Sequence, residues 1–75
     1  MELNQFIANF AEQLDDTNIS LVTPTTNFRD LDEWSSLVAL LIIGMVDEEY
    51  DVAIGAKEIM AANTIEELFE LVKNK

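Results

Sequence analysis

A chain of 75 residues with no cysteine has room for one small domain and no means to build a disulfide or a thiolate metal site, so a single apolar core must hold it together. Fifteen acidic residues against four basic ones give a net charge of −11, which repels nucleic-acid backbones and anionic lipid surfaces and attracts basic protein patches. The 49% of apolar residues is too much for a disordered acidic tail.

In chain order, Leu3, Phe6, Ile7, Phe10, Ala11 and Leu14 recur at intervals of three and four, opposite Asn4, Gln5, Asn9, Glu12 and Gln13. This spacing predicts an amphipathic first helix over 3–14. Met1-Glu2-Leu3-Asn4-Gln5 has neither the basic flank nor the long apolar run of a signal peptide, so a cytoplasmic location is expected. Asp15, Asp16, Thr17 and Asn18 break the helical pattern. Thr23-Pro24-Thr25-Thr26-Asn27 then reads as turn chemistry, because Pro24 lacks an amide donor and pushes Thr23 toward extended backbone. The connection from Asp16 to Ser35 exceeds the roughly 12 to 15 residues at which a loop without structure needs a reason. Ile19, Leu21, Val22, Phe28 and Leu31 are spaced irregularly along it, as single apolar anchors holding a loop to a helical core would be.

The second helix is expected from Ser36 to about Asp51. Its acidic end, Asp47, Glu48, Glu49 and Asp51, must face water and leaves Tyr50 pointing inward. Stepping back by helical intervals puts Val46, Ile43, Ile42 and Ala39 on the buried side. Leu37, Val38, Leu41 and Met45 then fall outside, an apolar patch for a partner to cover. Gly44 in mid-helix costs about 1 kcal/mol relative to alanine, which close approach by a loop or a partner would justify. The apolar stretch Leu37 to Val46 is far short of the ~20 residues that span a bilayer.

A short third helix is expected over 56–62, anchored by Ile59 with Met60 or Ala62. Thr64-Ile65-Glu66-Glu67 spells a capping box, opening a fourth helix to about Lys73 with Ile65, Leu68, Phe69, Leu71 and Val72 on its apolar face. No strand pattern or internal repeat interrupts these elements. The reading is therefore an all-α domain over 1–75: a four-helix bundle with a long loop between helices 1 and 2 and a short helix 3. Its expected core is Phe6, Phe10, Phe28, Ile42, Ile43, Val46, Tyr50, Ile54, Ile59, Ile65, Leu68 and Val72.

Histidine, cysteine and a glycine-rich phosphate loop are all missing, so the parts of a hydrolase triad, a zinc site or a nucleotide fold are not available and no catalytic residue is expected. The carboxylates read as surface charge, since so small a bundle offers no deep pocket to separate their pKa values. One segment stands apart, Phe28-Arg29-Asp30-Leu31-Asp32-Glu33-Trp34-Ser35-Ser36-Leu37. On its chemistry alone the serine pair is helix capping, Ser35 as the cap and Ser36 in the first turn. Trp34 is expected to anchor the loop or to form a rim.

That segment closely resembles the modification site of acyl carrier and peptidyl carrier proteins, where a D-S-L core opens the second of four helices. Here it reads Ser35-Ser36-Leu37. The resemblance extends over nearly the whole chain: the amphipathic first helix, Phe28, Asp30 and Leu31 ahead of the site, the acid-rich Asp47-Glu48-Glu49-Tyr50, Ile54 before a short helix, and Thr64-Ile65 opening the last one. It implies that Ser36 receives 4'-phosphopantetheine from coenzyme A through a separate phosphopantetheinyl transferase. The arm would carry acyl or aminoacyl groups as thioesters between acyl-loading and acyl-transferring enzymes of fatty acid, polyketide or related biosynthesis, from a monomeric, non-catalytic phosphoprotein. The chain departs from the family pattern in having Ser35 in place of the aspartate and Asp32-Glu33-Trp34 in place of a glycine-containing lead-in. Asp32 and Glu33 lie near enough to supply the missing negative charge. Partner docking is expected at Leu37, Val38, Leu41, Met45, Asp47 and Glu48, with more apolar contact than in a usual fatty-acid carrier; the other reading of Val38, Leu41 and Met45 is that they pack against the long loop or the short third helix. The alternative is an unmodified carrier fold acting as a protein interaction module.

Overall fold

Helix α1, Leu3–Ala11, opens the computed structural model, which describes residues 2–75; Met1 of the signal-peptide reading lies outside the described residues. Phe6 and Phe10 are fully buried on its inner face. The helix stops a turn earlier than its apolar spacing predicts. Gln13 and Leu14 donate their amides to Phe10 and Ala11, three residues back, at 3.0 Å each, and this tightened turn still delivers Leu14 to the core. Asn9, expected on the wet face, is buried. Its Nδ2 donates to the Tyr50 hydroxyl at 2.9 Å and its Oδ1 accepts from Gln5 Nε2 at 3.1 Å, so its burial leaves neither end of the amide unpaired.

The long loop contains two single 3-10 turns, Ile19–Leu21 and Phe28–Asp30. Of its expected anchors Val22 and Phe28 are buried and Leu31 is partly buried, whereas Ile19 and Leu21 are exposed. Polar ties replace those two. Thr26 Oγ1 accepts from the Thr23 amide at 2.9 Å and donates to the Leu21 carbonyl at 2.6 Å. The carbonyls of Thr26 and Pro24 accept the amides of Ile65 and Glu66 at 3.1 and 3.0 Å, and Asn27 forms an isolated antiparallel bridge with Thr64. The loop thus takes up first-turn amides of the last helix that no helical carbonyl can reach.

Helix α2, Ser36–Tyr50, starts on Ser35, whose hydroxyl accepts from the Val38 amide at 3.3 Å, and ends at Asp51 in the left-handed region at φ 55°. Its buried residues are Val38, Ile42, Met45 and Val46, while Ala39, Ile43 and Tyr50 are only partly covered. Val38 and Met45 were expected outside, and the structure corrects this. No charged residue lies between Leu37 and Val46, so the pattern carries little direction, and a face reckoned from Tyr50 is rotated because Tyr50 sits at the edge of the buried stripe. The outside belongs to Leu37, Leu40 and Leu41, at 65%, 65% and 42% exposure.

Helix α3, Ala56–Ala61, buries Ile59, and Ala62 just beyond it is also buried, leaving Met60 exposed. Helix α4, Ile65–Lys73, carries the expected capping box: the Glu67 amide donates to Thr64 Oγ1 at 3.1 Å, and Glu67 Oε1 accepts from the amides of Asn63 and Thr64 at 2.7 and 3.1 Å. These amides hold the Glu67 carboxyl below its ordinary pKa. Ile65, Leu68, Phe69 and Val72 face inward. Helix α1 packs on α2 and α4, and α3 packs on α4. Phe6 meets Phe69 edge-on at 5.5 Å and Tyr50 at 5.7 Å, and Phe10 meets Phe28 at 5.9 Å, which ties α1, α2, α4 and the loop into one aromatic centre. Leu14, Val22, Val38, Met45, Ala62 and Phe69 join the core beyond the residues expected there. The described residues thus form four α-helices without a named strand, an acyl-carrier-like bundle.

Candidate functional site

Ser36 is the first residue of α2 and is exposed. The division of labour between the two serines follows from the cap: Ser35 is extended, at φ −158°, and turns its hydroxyl back onto the Val38 amide. Ser36 is left with a hydroxyl that has no hydrogen-bond partner among the described residues. The amides of Ser36 and Leu37 are first-turn donors without a helical carbonyl to bond, at the positive end of a 15-residue helix. A phosphodiester on Ser36 Oγ would sit beside those donors, so the chemistry of the position fits a phosphopantetheine arm.

Next to Ser36 runs an open groove of about 520 Å³. Trp34, Ala39, Leu40 and Ile43 form one side and Ala56, Ile59 and Met60 the other. Trp34 is both loop anchor and rim, since its ring packs on Phe28 at 5.1 Å while bordering the groove. Leu40 was given no role by the sequence reading, although it lies four residues from Ser36 and three from Ile43, a spacing that puts all three along one side of the helix.

The acidic lead-in is divided. Glu33 does not face a partner: its carboxylate accepts the amides of Asp15, Asp16 and Thr17, the last two at 3.0 and 2.9 Å, and the Thr17 hydroxyl at 2.7 Å. The Asp15 amide first, and then the Thr17 hydroxyl, hold its pKa down at about 2. Asp32 remains exposed and is the one lead-in carboxylate free to replace the missing aspartate. On α2, Leu37 and Leu41 are exposed and Asp47 and Glu48 face water at the far end, whereas Val38 and Met45 are covered by the core and offer a partner no free surface. Among the described residues no helix is long and apolar enough to cross a membrane.

No curated protein and no solved structure matches this chain. The family described as the phosphopantetheine attachment site matches residues 4–72, from the first turn of α1 to the last of α4. Domains of that family hold covalently attached 4'-phosphopantetheine and are generally not catalytic. With a serine exposed at the start of its second helix and the match running through all four, the chain belongs to the phosphopantetheine-binding family of acyl and peptidyl carrier proteins.

Proposed function

We propose that this chain is an acyl carrier protein in which Ser36 is the attachment residue, the whole chain acting as one non-catalytic cytoplasmic carrier domain. The observation that supports it most is the exposed hydroxyl of Ser36 at the N-terminus of α2, without a hydrogen-bond partner among the described residues and beside an apolar groove. When attached, the arm supplies a terminal thiol that holds acyl or aminoacyl cargo as a thioester. The chain's own residues do the rest. Ser35 keeps the first turn capped, the amides of Ser36 and Leu37 favour the phosphodiester's charge, and the proton lost by the Ser36 hydroxyl passes to the transferase.

Partners of this carrier are a phosphopantetheinyl transferase and the enzymes that load and remove cargo in fatty acid, polyketide or related biosynthesis. Their docking face comprises Leu37, Leu40 and Leu41 with the carboxylates Asp47 and Glu48, and the exposed Asp32 on the approach. A complementary surface is an apolar patch flanked by lysine or arginine, and the net charge of −11 speeds its approach.

The test is intact-protein mass spectrometry after incubation with coenzyme A and a broad-specificity transferase. The parent and Ser35→Ala gain one phosphopantetheinyl group and Ser36→Ala gains none. No gain on the parent with several transferases would overturn the proposal in favour of an unmodified interaction module.

A further inference from the structure

Helix α3 is one wall of the groove beside Ser36, yet little in its own sequence keeps it there. Six residues are too few for a helix to stand alone; α3 packs on α4, and its Ala56, Ile59 and Met60 line the groove together with Ala39, Leu40 and Ile43 of α2. Ile59 and the adjoining Ala62 anchor it in the core, and polar ties at its two ends add to that hold. At the N-terminal end Glu58 accepts from the Gly55 amide at 2.8 Å and from Lys75 Nζ at 2.9 Å, and the ion pair is exposed enough to count for little.

The C-terminal end is held differently. Arg29, the single arginine of the chain, reaches from the turn before α2. Its Nη1 donates to the carbonyls of Ile59, at 2.8 Å, and Ala62, and its Nη2 donates to Asn63 Oδ1 at 2.7 Å. A planar guanidinium can serve three acceptors at once, and its charge lies at the negative end of the short helix. The same guanidinium lies 5.5 Å from the centre of the Phe28 ring, and Phe28 packs against Trp34 on the opposite lip of the groove. One strut therefore runs from the carbonyls of α3 through Arg29 and Phe28 to Trp34, two residues before Ser36.

We propose that Arg29 is a positioning residue that fixes α3 as the wall of the groove and so sets how far the groove opens to cargo borne on Ser36. The inference rests on attachment at Ser36 for its consequence but not for its geometry, and its test separates the two. In the unmodified protein, amide hydrogen exchange is compared for the parent, Arg29→Met, which keeps an apolar stem without donors, and Asn63→Ala, which removes one acceptor. Protection of residues 59–63 relative to α1 falls roughly tenfold or more in Arg29→Met, as loss of charge-assisted bonds demands, and falls less in Asn63→Ala. An equal loss of protection in every helix, or none, overturns the proposal.

With the arm attached and loaded, hydroxylamine cleavage of an octanoyl thioester speeds up several-fold in Arg29→Met, while an acetyl thioester, which has almost no apolar surface to bury, reacts at the parent's rate. Equal octanoyl-to-acetyl ratios in the two proteins also overturn it. Failure of Ser36 to accept the arm defeats the attachment reading alone and leaves the exchange result to decide the role of Arg29.

Discussion

Gly44 occupies the middle of α2, exposed, and a Cβ built on it meets nothing within 4 Å. The loop approach that would justify a glycine there is absent, and alanine would both favour the helix and narrow the unfolded ensemble. Gly44→Ala therefore stabilises the free protein by about 1 kcal/mol, a rise of roughly 4–8 °C in Tm for a domain of this size; thermal melting checks it, and an unchanged or lower Tm would show that something crowds the position. Gly44 lies three residues beyond Leu41 and four beyond Leu40, on the face proposed above for docking, where the missing Cβ would let a partner approach closely. If so, the same variant slows cargo transfer while the carrier itself becomes more stable. Asn9 shows the opposite limit of reading residue by residue. Its polarity assigns it to water, and only the fold reveals that Tyr50, 41 residues away, supplies a partner that makes burial tolerable.

At the scale of elements, the capping box of α4 was legible because its signal is local: Thr64 and Glu67 satisfy each other's backbone across three residues. The serine pair was legible for the same reason, with Ser35 as cap and Ser36 left over. The orientation of α2 was not, because ten residues from Leu37 to Val46 carry no charge to mark the wet side, and packing of the core buries Val38 and Met45 instead. Nor could spacing show that Glu33 closes the turn after α1. That contact predicts a pH dependence. Glu33 is held at about 2 against an ordinary value of 4.5, so in the folded state it keeps its charge to lower pH than in the unfolded chain. Its stabilising contribution is complete above about 4.5 and is lost as pH falls from there toward 2. Glu33→Gln, which cannot gain or lose that charge, is less stable than the parent at pH 7, and the gap closes between pH 4.5 and 2. Urea midpoints across that range check it; a constant gap would mean that the clamp does not depend on ionisation.

For the whole molecule, net charge and size decide together. The basic side chains do little to offset the carboxylates one for one: Arg29 is spent on carbonyls and an amide, and Lys75–Glu58 is the one ion pair among the described residues. Glu33 and Glu67 are satisfied by backbone amides, contacts that salt barely screens. What salt does screen is the repulsion among the remaining acidic groups. At 10 mM salt the screening length is about 30 Å, as long as the molecule, whose principal extents are 28 × 24 × 20 Å, so every carboxylate feels every other. At 150 mM it is about 8 Å and only neighbours interact. Raising potassium chloride over this interval therefore stabilises the fold, with Tm increasing by several degrees, about 1 kcal/mol. A flat or falling Tm would mean that the few cationic ties outweigh the repulsion. The same screening slows the approach of a basic partner, so the proposed modification of Ser36 by a transferase is expected to slow over the range in which the carrier becomes more stable. Opposite slopes in the two measurements would separate the charge that steers partners from the contacts that hold the bundle.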